Sequence, residues 1–216
     1  MNVDYNDYAE TFSNSRKNMK WEEIEYFLFF LEWREDLKIL DVGCWSWRLI
    51  WELEKYDLDI VDYLWIDLSV WLLDEAKKNY PNHKFIDLNM QDLNKIDHNY
   101  NVIFFVASFH HINSIEDRIR ILKKAYKKLE SWWIVFFTNW ALESELNKNR
   151  YSISKVKWST NDYWSSDFNI KIGEFVRYYH SFALDELKYL FESAWFQIIE
   201  NREFGNKRNI ISIIKK

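Results

Sequence analysis

The sequence predicts an α/β fold: a mostly parallel sheet with helices on both faces, ending in an antiparallel C-terminal hairpin. Three observations predict it. Short apolar runs (Lys38 to Val42, Ile60 to Ile66, Lys84 to Asp87, Val102 to Ala107, Ile134 to Thr138) alternate with stretches of helical spacing. Runs that stay apolar, separated by helices, indicate strands covered on both faces. Two further strands, Phe196 to Glu200 and Asn209 to Ile214, flank a turn around Gly205. Strands joined so closely pair as a hairpin.

Each element has its own warrant. Trp21 to Trp33 is amphipathic and begins with Glu22 and Glu23, acidic residues that suit the positive end of a helix dipole. Arg48 to Lys55, Val70 to Tyr80 and Ser114 to Leu129 supply the crossover helices, and Ala183 to Ala194 the last one. Between Glu143 and Gly173 the periodicity breaks into polar sequence, which reads as an insertion; long loops in compact domains are commonly functional. The 216 residues suit a single domain over 1–216, with 1–33 as an N-terminal arm and helix and 143–176 as an insertion near the substrate pocket.

Composition narrows the class. With 48% hydrophobic and 29% charged residues the chain is globular, and no apolar run reaches the roughly 18 residues needed to span a membrane. Its start, Met-Asn-Val-Asp-Tyr-Asn-Asp-Tyr, lacks the basic and apolar regions of a secretory signal, so the expected location is the cytoplasm. One cysteine excludes an internal disulfide framework and a cysteine-built zinc site, and no metal is expected. A net charge of −5 argues against binding nucleic acid through bulk electrostatics, leaving a local basic face open.

Glycine usage is anomalous. The chain has 3 Gly and 13 Trp, where about 15 Gly would be usual at this length. Tryptophan stands at turn positions that favour glycine: Trp132 and Trp133 after one helix, Trp195 after another, Trp65 near the end of a strand. Counting these with Trp33, Trp45, Trp47, Trp51, Trp71 and Trp164 as glycine restores an ordinary composition. The pattern reads as a gene in which UGA specifies glycine, translated as though it specified tryptophan.

The first strand leads into Leu-Asp-Val-Gly-Cys-Trp-Ser-Trp, Leu40 to Trp47. A strand, a tight turn and a helix N-terminus make a site where backbone amides face a ligand. With glycine at 45 and 47 the turn becomes Asp-Val-Gly-Cys-Gly-Ser-Gly. This resembles the first motif of the class I S-adenosylmethionine (SAM) dependent methyltransferases. The resemblance implies a Rossmann-like sheet of seven strands in the order 3-2-1-4-5-7-6, and SAM as cofactor. Asp41, Gly43, Cys44, Trp45 and Trp47 would form the loop beneath the methionine. Asp67, about 20 residues further on and followed by Leu68, stands where a carboxylate accepts hydrogen bonds from ribose. Asn89 and Met90 would border the adenine, Val106 and Ala107 the methionine, and Arg16 the cofactor carboxylate.

The acceptor is indicated by Ala107-Ser-Phe-His-His-Ile, Phe137-Thr-Asn-Trp-Ala and Arg177-Tyr-Tyr-His-Ser-Phe, which resemble segments of the tRNA wobble-uridine carboxymethyl methyltransferases. That resemblance implies O-methylation of a carboxymethyl group, with Tyr8, His111, Arg177, Tyr178, Tyr179 and His180 around the substrate. It also raises a small activating protein partner, since the eukaryotic enzymes work with one. A carboxylate is already ionised at neutral pH, so the transfer needs alignment and a cation rather than a strong base. Two alternatives remain: a methyltransferase of a small carboxylate or hydroxyl metabolite, and a non-catalytic SAM-binding or partner-binding module. Adjacent His110 and His111 suit neither a shared metal nor a dyad; one is expected to pack and the other to line the pocket.

Overall fold

The computed structural model describes residues 21–44, 48–205 and 207–216. Seven strands form one sheet: β1 (Leu37–Val42), β2 (Ile60–Asp67), β3 (Lys84–Asp87), β4 (Tyr100–Val106), β5 (Leu129–Trp140), β8 (Gln197–Phe204) and β9 (Asn209–Lys215). Their order is β3-β2-β1-β4-β5-β9-β8, parallel from β3 to β5. β9 runs antiparallel to both β5 and β8, so the expected order and inserted last strand are both present.

Period-two alternation in the central strands feeds two cores. Leu40 and Val42, Ile103 and Phe105, Val135 and Phe137 project to one face, against α4 (Ile115–Lys128) and α6 (Leu184–Ser193). Ile39, Val102, Phe104, Ile134 and Phe136 project to the other, where α1 (Glu22–Phe29), α2 (Arg48–Leu53) and α3 (Val70–Asn79) pack. α4 shows how locally the sequence specifies this. Ser114 accepts a hydrogen bond from the Asp117 backbone at 3.1 Å, Glu116 and Asp117 occupy the first turn, and Arg118, Ile121, Leu122 and Ala125 form its buried stripe. No helix among the described residues is long and apolar enough to cross a membrane.

The polar stretch after Glu143 is more ordered than its sequence suggests. It holds a short helix, α5 (Lys148–Tyr151), and a separate antiparallel hairpin of β6 (Ser166–Ile172) and β7 (Phe175–Ser181) turning at Gly173. The hairpin ends at Ser181.

Positive φ angles bear on the tryptophan anomaly. Among the described residues, Trp132 (71°), Trp158 (64°), Trp164 (67°) and Trp195 (70°) are left-handed, a conformation that costs a residue with a Cβ about 1–2 kcal/mol. Trp158 was not among the positions the sequence pattern singled out. Trp33, Trp51, Trp65, Trp71 and Trp133 lack a positive φ, so backbone strain does not argue for glycine there. Trp132, Trp158 and Trp164 are 79%, 99% and 82% exposed, so replacing them forfeits little packing. Glycine at any of these three should stabilise the fold by about 1 kcal/mol, after allowing for its larger unfolded-state entropy, whereas alanine should give less. Urea unfolding of the single variants checks this; a glycine variant no more stable than its alanine counterpart would refute the strain argument.

Candidate active site

A cleft opens where the strand order reverses between β1 and β4, at the carboxyl ends of the parallel strands. Such switch points are where open α/β sheets bind ligands. The clearance there is set by backbone. Gly43 follows β1 with φ +72°, and a Cβ built on it would lie 2.6 Å from the Cβ of Ser108, which follows β4. Ser108 is itself pinned, its hydroxyl donating to the Val42 carbonyl at 2.6 Å. Ala107 takes a positive φ of 50° beside it, and its amide is shared by the Thr138 carbonyl (3.0 Å) and hydroxyl (2.9 Å). A non-glycine residue held in this region beside a cleft is strain maintained by its surroundings.

From this point the cleft extends in two directions. One side is walled by Asp67, Leu68, Leu72, Leu88 and Met90. Asp67 closes β2, and its Oδ1 accepts the Ser69 amide at 2.9 Å; Ser69 in turn caps α3 through the Leu72 amide at 3.3 Å. Asp67 thus buttresses the helix start and faces the cleft as well. The other side carries His110, His111, Trp140, Arg177 and Tyr179. Trp140 and Tyr179 stack with ring centroids 5.0 Å apart and planes at 17°, and the Arg177 guanidinium lies 5.5 Å from the Tyr179 ring. The buried Tyr179 hydroxyl has no hydrogen-bond partner among the described residues.

Several expected residues lie elsewhere. Asn89 does not line the cleft; its side chain accepts the Gln91 amide at 2.8 Å and caps a short 3-10 turn. Val106 and the buried Cys44 are also absent from the wall, although the Cys44 amide donates to Ile66 at 3.2 Å and so fixes the loop. Asp41 is buried beneath the cleft, where the Tyr63 hydroxyl donates to it at 3.2 Å. Tyr8, Arg16, Trp45 and Trp47 lie outside the described residues. Both histidines border the cleft, where one was expected to pack away from it. His110 accepts the Trp140 amide at 3.3 Å, and His111 bonds the Tyr178 carbonyl at 2.9 Å. Trp21, Leu72, Leu88, Ser108 and Trp140 were not foreseen; only the strand-end position of Ser108 gave a usable signal.

The Arg177-Tyr-Tyr-His stretch divides by strand alternation. Arg177 and Tyr179 face the cleft, whereas Tyr178 and His180 join a network behind it. Tyr178 donates to Asp167 at 2.7 Å, His180 bridges Asp167 (2.7 Å) and Glu186 (2.8 Å), and Arg118 pairs with Glu186 at 2.9 Å. Burial pushes the Asp167 and Glu186 carboxyls up, but the His180 hydrogen bonds and the Arg118 charge outweigh it and hold both below the usual range. Burial, then the bond to Asp167, raises the Tyr178 phenol. Among the described residues no group of His, Cys, Asp and Glu is placed to hold a metal.

Comparison with known proteins agrees with this geometry. Residues 39–131 match the family model described as a methyltransferase domain. A SAM-dependent methyltransferase from Clostridium acetobutylicum superimposes with TM-score 0.68 at 14% identity, covering 98% of each chain. An S-adenosylmethionine dependent methyltransferase from Listeria monocytogenes gives 0.66 at 19% identity over 91% of this chain and 97% of its own. The glycopeptide N-methyltransferase MtfA, complexed with S-adenosyl-L-homocysteine, gives 0.68 at 12% identity over 89% and 88%. No curated protein sequence matches. Residues 39–131 thus match a methyltransferase domain, and the fold is the one these SAM-dependent methyltransferases share.

Two measurements test the electrostatics. Removing Glu186 as Ala strands the Arg118 guanidinium, which is 3% exposed, and should cost about 3–5 kcal/mol in denaturant unfolding; a loss below about 1 kcal/mol would mean the network relaxes freely. Burial is the largest influence on Asp41 and, opposed by the Tyr63 hydrogen bond and reinforced by Asp67, raises its carboxyl from 3.8 to about 8. Because the folded state keeps this proton while the unfolded state loses it, its contribution is full below pH 3.8 and declines as pH rises toward about 8. The limiting slope is about 1.4 kcal/mol per pH unit. Asp41→Asn should flatten that decline in stability measured across the interval; an unchanged profile would place the proton elsewhere.

Proposed function

We propose that this methyltransferase transfers the SAM methyl group to a carboxylate on a modified uridine of tRNA. The observation that carries the reading is the acceptor end of the cleft, where Arg177 stands against the stacked pair Tyr179 and Trp140. An ionised carboxylate suits a guanidinium and the buried Tyr179 hydroxyl, and a splayed base suits an aromatic face. Bound SAM would supply an electrophilic methyl on a sulfonium. Attack by a carboxylate oxygen then needs no proton transfer, and Arg177 would orient the acceptor while His111, tied to β7, keeps the wall in place.

In this reading Asp67 accepts from the ribose hydroxyls, Leu68, Leu88 and Met90 flank the adenine, and Gly43 and Ala107 bring backbone to the methionine. These residue types fit the cofactor. The free volume is about 80 Å³, well short of the roughly 300 Å³ at the lower end of ligand pockets. We infer that the gene reads UGA as glycine, with glycine at 45 and 47. The left-handed tryptophans support the same inference. The small cavity also suits the alternative acceptor, a small carboxylate metabolite.

The test uses the chain as written and a chain with glycine at the tryptophan positions singled out above and at 158. The first should bind SAM weakly or not at all by calorimetry, and the second should bind it. Incubated with SAM and tRNA bearing carboxymethyluridine, the second should yield the methyl ester by nucleoside mass spectrometry. Arg177→Gln should abolish the ester while SAM binding persists. Turnover of free carboxylates but not tRNA would select the metabolite reading. Equal SAM affinity of the two chains would remove the physical case for glycine in the loop.

A further inference from the structure

A second groove lies beyond the acceptor wall, and we infer that it holds the phosphate backbone next to the methylated nucleotide. The inference rests on the reading of a nucleic-acid acceptor. The groove has a volume of about 580 Å³ and runs between α5, the end of β6 and the start of β9. Arg150, Lys171 and Arg208 line it, and among the described residues no carboxylate does, on a chain whose net charge is −5. Arg150 and Lys171 make no ion pair among the described residues, although Lys155 of the same segment is paired with Glu143. A local concentration of cations against the overall charge marks an anion site.

The groove is joined to the cleft by one residue. Trp140 lines both. Its ring stacks on Tyr179 at 5.0 Å on the cleft side and lies 6.1 Å from the Tyr151 ring, at 40°, on the groove side. The Arg150 guanidinium sits 5.4 Å from Tyr151. Aromatic rings beside cations along a groove are how single-stranded nucleic acids are held without sequence readout, bases on the rings and phosphates on the cations. A free metabolite would not span both compartments; a strand whose base enters the cleft has its next phosphates beside Trp140. Three cations are too few to bind nucleic acid through charge alone, so the groove orients a strand whose base the cleft selects.

The experiment measures binding of a short fluorescein-labelled uridine oligonucleotide by anisotropy across a salt series, with the urea-unfolding midpoint recorded as a check on folding. Substituting Arg150, Lys171 and Arg208 together by Gln should weaken binding at least about tenfold and flatten the salt dependence by about 2 in the logarithmic slope. The control, Lys77→Gln with Lys78→Gln on α3, should leave both unchanged. Affinity and slope unaltered in the groove variant would overturn the proposal, as would equal losses in groove and control variants. Inorganic phosphate competing as strongly as the oligonucleotide would also overturn it, because the groove would then be a site for free anions. Failure of the acceptor reading looks different: the oligonucleotide binds through the groove, but tRNA is not esterified.

Discussion

The Arg177 wall of the cleft hangs on the Arg118 guanidinium. It is buried in α4 yet reaches three separate pieces of chain. Its Nε and Nη2 donate to the Ile112 carbonyl at 3.0 and 2.8 Å, its Nη1 to Glu186 of α6 at 2.9 Å, and its Nη2 to the Tyr178 hydroxyl of β7 at 3.4 Å. Glu186 and Asp167 then hold His180 between them. The hairpin outside the main sheet packs Phe168, Ile170 and Tyr179 on Leu142, and this network adds a polar tie that fixes it relative to the strand tips. A buried ion pair gives little net stability against an apolar replacement of the same shape. Here its geometric effect is the larger one, because the alternation that turns Tyr178 and His180 toward Arg118 turns Arg177 and Tyr179 into the cleft.

The Gly43 side of the cleft is governed by backbone clearance. β1 and β4 are neighbours that run the same way, with Ile39, Leu40 and Asp41 opposite Val102, Ile103 and Phe104, so the chains leaving them must part within two residues. Gly43 and Ser108 meet there at a distance that admits no Cβ on residue 43. The two sides share one stretch of chain, Ala107 to His111, which contributes Ser108 to the first constraint and His111 to the second. The methyl donor and the acceptor would therefore be registered to each other through five residues rather than across the whole domain.

This division explains what the sequence made legible. The central strands were readable because burial on both faces leaves continuous apolar runs such as Ile103 to Val106, whereas the more exposed edge strands β3 and β8 were readable only from short apolar pairs and the turn around Gly205. The loop residue Gly43 and the strand-end residue Asp67 were readable because a backbone turn and a carboxylate at fixed spacing are local features. The β6–β7 hairpin was not. Ser166-Asp-Phe-Asn-Ile-Lys-Ile buries only one face, so its signal is a faint alternation of Phe168, Ile170 and Ile172 among polar residues. Without that strand, Arg177 to His180 reads as four neighbours around one substrate, and nothing in the sequence announces that Asp167 and Glu186 will claim two of them. Lys171 and Arg208 were invisible for the same reason: they come to Arg150 only through the hairpin and the β9 turn.

The tryptophans divide by the same physics. Trp65 is 1% exposed, its ring 4.3 Å edge-on to Phe85 and stacked 5.8 Å from His83, so β2 has absorbed an indole without backbone strain. Trp132, Trp158 and Trp164 instead point outward from left-handed turns, and the fold bears each at a modest conformational cost. Neither environment obstructs folding, and the chain assembles the complete sheet with its indoles in place. The turn at Gly43 differs in kind. At Gly43 the space around the backbone is already filled by Ser108, and the Met90 methyl lies 3.5 Å from where a Cβ would be. An outward turn can accommodate a large side chain, but a loop required to lie against a ligand cannot be relieved by pointing its side chains away. A substitution spread evenly over glycine positions would therefore leave the architecture intact and concentrate its damage on binding.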